Sequence, residues 1–364
     1  MPLAIPLAPD QFTPGWLTDA LQSSGVLKSA RVVAAVPSSV GDGFGLLGSL
    51  TRLTLTYDRQ EPGAPKTLVA KFPHVVEMNR TLARQYRVYE REYLFYSRVA
   101  PSIATALPTV LYMRSEPETG DAVILLGVLG GTRVGDQLVA PVRSEVIRTV
   151  DEIAKLHAAF WGKADVEHLN RVPYLNDTLW LQVAQSMDIF WPVFQQHFPD
   201  LVTDNIKRIG DRFAGSIASL ATRLSTPPCT LLHGDLRLDN LFFATPPANP
   251  LLIIADWQLT SRGRGAYDIA YFMSQSVEAE MRAGLERAVV ERYHADLVAG
   301  GVTGYSFDEC WQDYRIAVMW CMMYPVAAGG GLELTNDRAV QLGRAMARRS
   351  FAAIEELGAD EFLA

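Results

Sequence analysis

The hydrophobic period of this chain changes near residue 130, and that change limits the folds open to it. Before it, short apolar runs alternate with polar residues in steps of two, as half-buried strands do. SLTRLTLTY (49–57) shows this best; RVVAAV (31–36), TLVAKFP (67–73), PTVLYMRS (108–115) and AVILLGVL (122–129) complete the set. A short helix is expected over 10–27, with Trp16, Leu17, Leu21 and Leu27 as its apolar members. One long helix is expected over 81–100, where Leu82, Tyr86, Tyr89, Tyr93 and Tyr96 recur three and four apart. After GGTRVGDQ (130–137) helical spacing takes over, at 143–162, 176–197, 204–224, 278–299, 307–328 and 337–357. The exceptions are two short strand-like pieces, LFF (241–243) and LLIIAD (251–256).

The 364 residues exceed the usual size of one hydrophobic core, so two lobes are the default. The expected fold class is α+β. A small antiparallel-sheet lobe with one main helix takes residues 1–129, a hinge lies near 125–131, and a larger, mostly helical lobe takes 130–364.

Hydrophobic residues at 49% and charged residues at 20% are the balance of a globular protein. The net charge of −7 comes with scattered Lys and Arg, which argues against a nucleic-acid partner. Three distant cysteines, Cys229, Cys310 and Cys321, show no metal spacing and fit a reducing cytoplasm better than a disulfide framework. The N-terminus has no basic n-region and is not expected to be a signal peptide. The apolar run IAVMWCMMYPVAA (316–328) is too short to span a bilayer, so no membrane partner is expected.

Residues 231–243, LLHGDLRLDNLFF, place a His, two Asp, an Arg and an Asn between two apolar shoulders. Surface loops rarely have such flanks; a charged loop held by buried elements is the alternative. Asp235 and Asn240 stand five apart, Arg237 lies between them, and Asp256 follows at the end of LLIIAD. Alone, Asp256 reads better as a turn residue. Paired with Asn240 across a short hairpin, it becomes a hard-oxygen site suited to Mg²⁺, which takes one or two protein carboxylates plus phosphates. Asp235 would then be free to orient a hydroxyl or accept its proton.

HGDLRLDN has the Asp-x-x-x-x-Asn spacing of the protein-kinase catalytic loop, with Arg237 where that loop carries a Lys. With IADWQ behind it, the chain resembles the aminoglycoside phosphotransferase and choline kinase superfamily. Its likeness is greatest to the ecdysteroid-kinase-like and acyl-CoA-dehydrogenase-associated branches. GTRVGDQ, LHAAFWG and GRGAYDIAYF extend the resemblance from about residue 30 to 330. The pair of motifs around 233 and 256 is specific; the others are individually weak. The resemblance implies a protein-kinase-like bilobal fold, ATP and Mg²⁺ as cofactors, Asp235 and Arg237 as catalytic residues, and Asn240 and Asp256 as metal ligands.

The first lobe can be set against that expectation. Gly41, Gly43, Gly45 and Gly48 fall between two strands, where glycine permits close approach to phosphate oxygens. A hairpin turn would explain a lone cluster equally well. Lys71, inside an apolar strand, is costly unless paired or near water. The resemblance puts it on the α- and β-phosphates, paired with a helix Glu. Periodicity does not separate Glu90 from Glu92; the likeness of EYLFY to the family's Glu-x-x-Phe-Tyr favours Glu92. In AVILLGVLGG the backbone at Leu126 and Val128 would meet adenine. There the chain departs from relatives, which carry an acidic pair where Gly127 and Val128 stand, so the choice of ATP or GTP is left open. His233 and Asp268 are expected to orient the loop, and His157 to be a satisfied core histidine.

The expected activity is phosphate transfer from ATP to a hydroxyl of a small molecule. The many Trp and Met of the second lobe, and the lack of a carboxylate cluster near Asp235, favour an apolar alcohol over an antibiotic. A steroid- or terpenoid-like alcohol or a hydroxyacyl-CoA is expected. An antibiotic phosphotransferase and a nucleotide-binding regulator without turnover are the alternatives. A protein kinase is disfavoured because DWQLTSRGRGAYD leaves no room for a long activation segment.

Overall fold

Strand β2 (Gly48–Tyr57) buries Leu53 and Leu55 and exposes Arg52, Thr54 and Thr56, the alternation its sequence carries. The computed structural model describes residues 3–40, 47–163, 169–244, 252–331 and 337–364. It divides the chain into two units: Met1–Ser102, Leu107–Gly131 and Trp257–Leu259 form the first, and Ile103–Ala106, Thr132–Asp256 and Thr260–Ala364 the second.

In the first unit β2 lies in a five-stranded sheet with β1 (Val32–Ser39), β3 (Thr67–Pro73), β4 (Val110–Glu116) and β5 (Asp121–Gly127). The order is β1-β2-β3-β5-β4 and every pairing is antiparallel. Helix α1 (Pro14–Ser23) starts at Thr13, whose side chain accepts from the Trp16 N–H, and Pro14 supplies a first turn that needs no donor. Its Leu17 and Leu21 join Phe12, Leu53, Leu55, Leu68, Phe72, Val123 and Leu125 in one core. Each such side chain contributes about 1.5–3 kcal/mol by leaving water.

The long helix expected over 81–100 is instead broken. Helix α2 (Glu77–Gln85) ends before Arg87, which adopts a left-handed conformation, φ 53°, and α3 (Val88–Leu94) begins after it. Phe95–Val99 then widens into a π turn. The joint re-phases the buried face: Val88, Tyr89, Arg91, Glu92 and Leu94 turn inward, while Tyr86 and Tyr93 stay partly exposed.

The second unit carries helices α4 (Arg143–Phe160), α5 (Thr178–Gln185), α6 (Met187–His197) and α7 (Asp204–Leu224). Further along come α8 (Ala266–Ser276), α9 (Ala279–Ala283), α10 (Glu286–Ala299), α11 (Phe307–Cys321), α12 (Met323–Gly331) and α13 (Asp337–Leu357). Helix α7 follows its pattern closely: Thr203 caps it, and Ile206, Ile209, Phe213, Ile217, Leu220 and Leu224 are buried at three- and four-residue spacing. Three expected single helices are divided, at Ser186, before Glu286 and at Met322. At the last, Pro325 has no N–H for the Cys321 carbonyl, which accepts from Gln275 Nε2 at 3.4 Å instead. Two small sheets complete the unit: β6 (Thr132–Val134), β8 (Leu241–Ala244) and β9 (Leu252–Ile254), and the pair β7 (Thr230–Leu232) with β10 (Ser261–Gly263). Strands β6, β7 and β10 and helix α8 carry no period that marks them in the sequence. Among the described residues no helix is long and apolar enough to cross a membrane.

Helices α6 and α12 pack at a distance only glycine allows. A Cβ on Gly330 would stand 2.1 Å from the Phe190 carbonyl oxygen, which is backbone and cannot swing away. Gly330→Ala should therefore lower stability by about 1–3 kcal/mol, measured by chemical denaturation. An unchanged midpoint would mean that the helices separate without penalty.

Candidate active site

The segment from His233 to Asn240 folds as a bridge between two buried strands. It leaves β7, turns through Gly234 at φ 87°, makes a 3₁₀ turn over Leu238–Asn240 and enters β8. The left-handed turn is why position 234 is glycine. Strand β8 pairs with β9 in the register Leu241↔Ile254, and the Ala255 N–H reaches the Asn240 carbonyl at 2.9 Å. That register sets Asn240 and Asp256 at the same end of one hairpin. Asp256 is left-handed too, φ 63°, in a region Asp and Asn tolerate better than most residues.

The loop is held from below by Asp268 of α8, whose side chain is fully buried. Its Oδ2 accepts from the His233 backbone N–H at 2.7 Å and its Oδ1 from the Gly234 N–H at 3.0 Å. His157 of α4 approaches the same carboxylate through Nε2 at 3.0 Å, and its Nδ1 meets Tyr293 Oη at 2.8 Å. The His233 ring ties the loop to the residue that follows β9. Its Nδ1 accepts from the Asp235 N–H at 3.1 Å, which leaves Nε2 as the donor to the Ala255 carbonyl at 3.0 Å.

Asp235 is 6% exposed and its carboxylate meets three donors. Tyr271 Oη donates to Oδ1 at 2.6 Å; Asn240 Nδ2 and Arg237 Nε donate to Oδ2 at 3.1 and 3.3 Å. Asn240 Nδ2 also reaches the Asp235 carbonyl at 2.8 Å. Only an NH₂ group satisfies both acceptors, so the amide oxygen of Asn240 faces away from Asp235. Arg237 lies between two carboxylates, with Nη1 3.1 Å from Asp239. Burial opposes its charge, but Asp235 and then Asp239 raise its pKa above the ordinary value. Asp239 in turn accepts from the Gln137 N–H at 2.9 Å.

The first unit brings together Lys71 and Glu92. Lys71 of β3 is 8% exposed, and its Nζ lies 2.7 Å from Glu92 Oε2 on α3. Glu90 pairs with Arg87 instead, so the alternative that periodicity left open is answered by the re-phased helix. A Cβ on Gly48 would stand 3.7 Å from Lys71 Cε. Tyr89 Oη donates to the Leu47 carbonyl at 2.7 Å and accepts from the His74 N–H at 2.9 Å, which fixes the start of β2. Leu126 lies at the end of β5 opposite Val69 and Val110, and Val128 just beyond it is 42% exposed. Gly41, Gly43 and Gly45 lie outside the described residues.

The ecdysteroid kinase-like family matches residues 41–300, more than half of the chain. The chain belongs to that family. None of the curated proteins matches it. Among solved structures it is similar to aminoglycoside 2'-phosphotransferase-IIIa in its GDP complex, with a TM-score of 0.55 and 15% identity over 93% of this chain and 98% of that one. Spectinomycin phosphotransferase, in complex with ADP and spectinomycin, gives 0.54 and 10% over 98% and 100%. The ethanolamine kinase of Plasmodium vivax gives 0.53 and 11% over 88% and 82%. At such identities the likeness establishes the fold, which is kinase-like, with an antiparallel-sheet first lobe and a helical second one.

Three residues of the family member's site escape sequence reasoning. Asp239 sits in the quoted motif but looks like one more polar residue until Arg237 is seen to need both neighbours. Tyr271 and Tyr89 look like core aromatics, because a hydroxyl aimed at a partner leaves no trace in hydrophobic spacing.

Asp268→Ala should leave the His233 and Gly234 amides buried without acceptors, a loss of roughly 2–6 kcal/mol. Hydrogen exchange at those two amides should speed up relative to amides in α7. Unchanged protection there would show that the loop is held by something else.

Proposed function

We propose that this chain is an ATP-dependent phosphotransferase acting on a hydroxyl of a small molecule. The observation that carries the reading is the carboxylate of Asp235, clamped in the same loop that supplies Asn240 and within one hairpin of Asp256. The acceptor oxygen forms a bond to the γ-phosphorus while the bond from that phosphorus to the β,γ-bridging oxygen breaks, its electron pair leaving with ADP. The acceptor's proton passes to Asp235. Lys71, kept in place by Glu92, holds the α- and β-phosphates, with the glycines of 41–48 over them and the backbone at Leu126 and Val128 beside the base. Arg237 offsets negative charge next to Asp235. Catalysis is then positioning and electrostatics.

The donor set fits Mg²⁺. The amide oxygen of Asn240 and the carboxylate of Asp256 are hard oxygen ligands, and the amide nitrogen that would repel a cation is committed to Asp235. Among the described residues no group of three or more His, Cys, Asp or Glu is arranged to hold a metal, so the rest of the shell would come from phosphate and water. When bound, the ion would neutralise phosphate charge.

The acceptor favoured is a neutral or apolar alcohol: steroid- or terpenoid-like, or a hydroxyacyl-CoA. Beside Asp235, Arg237 meets one further carboxylate, Asp239, and so joins the two. Three glutamates of the C-terminal segment are engaged elsewhere: Glu355 with Asn205, Glu356 with Arg282 and Glu361 with Arg315. A polycationic drug finds few uncommitted carboxylates there.

ADP release from ATP–Mg²⁺ over a panel of steroid and terpenoid alcohols, a hydroxyacyl-CoA, kanamycin and spectinomycin tests the reading. Turnover with the neutral alcohols is expected. Turnover with the antibiotics alone would reverse the acceptor class, and nucleotide binding with no turnover would make the chain a regulator. Asp235→Ala should lower turnover about 10²–10⁴-fold with nucleotide affinity retained; lost ATP binding in that variant would remove the role given to Asp235.

A further inference from the structure

The Asp235 carboxylate meets three donors unevenly shared between its oxygens, and a tyrosine is the one on Oδ1. Each carboxylate oxygen offers two lone pairs. Both on Oδ2 are taken, by Asn240 Nδ2 and Arg237 Nε, while Oδ1 has a single partner, Tyr271 Oη at 2.6 Å. Two donors on one oxygen still leave the group free to rock about the Cβ–Cγ bond; a third donor on the other oxygen stops it.

Tyr271 is well placed to be that third donor. It is 2% exposed and stands on α8, three residues after Asp268, so one helix holds the loop backbone and the carboxylate together. Its ring meets Tyr324 of α12 edge-on, centroids 4.6 Å apart at 79°. Tyr324 is itself fixed: its hydroxyl meets that of Tyr267, which donates to the Gly234 carbonyl at 3.2 Å. Burial first, and then the charge of Asp235, push the Tyr271 phenol well above its usual pKa, so it stays a donor.

We propose that Tyr271 is a positioning residue for phosphate transfer: its hydroxyl fixes the Asp235 carboxylate so that the remaining lone pair of Oδ1 points at the incoming acceptor hydroxyl. This rests on the phosphotransferase reading and adds to it the atom that receives the proton. The acceptor O–H is aligned by Oδ1 as its oxygen bonds to the γ-phosphorus, the proton ends on Oδ1, and the electron pair of the broken bond leaves on ADP. A large alcohol, bound along its whole length, cannot follow a rocking carboxylate. A water molecule can. Tyr271 therefore favours transfer over hydrolysis.

Tyr271→Phe keeps the ring and removes only the donor. Over the same alcohol panel, kcat for transfer should fall about tenfold, the size of one hydrogen bond to a charged group, with KM for ATP and for the alcohol within about twofold. The share of ATP lost to water should rise. A folded Tyr271→Phe protein with wild-type kcat and partition would overturn the proposal, as would a loss that follows weakened ATP binding and lowered Tm together, which is what a packing role predicts. Tyrosine labelled with ¹³C at Cζ gives a second readout that needs no turnover. The resonance missing in Tyr271→Phe should move in Asp235→Ala and not in Lys71→Met; a resonance indifferent to Asp235 would overturn the proposal outright. If wild-type protein turns over neither alcohol nor water, the phosphotransferase reading fails, and the resonance still decides whether Tyr271 holds Asp235.

Discussion

The loop from His233 to Asn240 depends on one fully buried carboxylate beneath it, that of Asp268. Asp268 has no exposed surface, and a carboxylate in such a place is costly unless its oxygens are satisfied. It is satisfied by the backbone of that loop itself, through the N–H groups of His233 and Gly234, with His157 on the same oxygen as His233. The exchange is mutual: two loop amides with no strand to pair with find an acceptor, and the charge finds donors. Gly265, at the entry to α8, shows how closely the pieces are pressed together. A Cβ there would stand 2.2 Å from Tyr293 Oη and 3.0 Å from His157 Nδ1.

Each unit settles its own charges by the same logic. In the first, Lys71 is taken out of water by β3 and answered at 2.7 Å by Glu92. Such a pair adds little net stability, because desolvation cancels most of the attraction, but breaking it leaves a buried charge alone. Its value lies in orientation. The broken helix serves that orientation, since the left-handed Arg87 lets Glu92 turn inward while Arg87 itself neutralises Glu90.

Much of this was legible in the sequence, for identifiable reasons. The alternation of β2 and the three-and-four spacing of α7 are strong because one face of each is buried and the other wet. The motif from His233 to Asn240 is legible because charged residues between apolar shoulders need an explanation. Less legible is whatever depends on a partner distant in the chain. Strands β7 and β10 have three residues each and are buried throughout, so no alternation exists to be read. The joint at Arg87 violates the local rule that a non-glycine residue avoids positive φ, and local rules give way where tertiary contacts demand it. The joint at Met322 was visible in principle, since Pro325 lies four residues after Cys321 and denies its carbonyl an N–H.

Arg237 illustrates how contacts narrow a role that spacing leaves broad. In the sequence a guanidinium two residues from Asp235 looks free to meet a phosphate. Here it lies between Asp235 and Asp239 and is bound to both. At an effective dielectric of about 20, an ion pair near 4 Å is worth about 4 kcal/mol before desolvation, so neither contact is given up lightly. What the contacts show of Arg237 is thus that it holds Asp235 and Asp239 together. Asp239, fixed by the Gln137 N–H, draws the guanidinium away from Asp235 alone, so the arginine is shared between the two carboxylates.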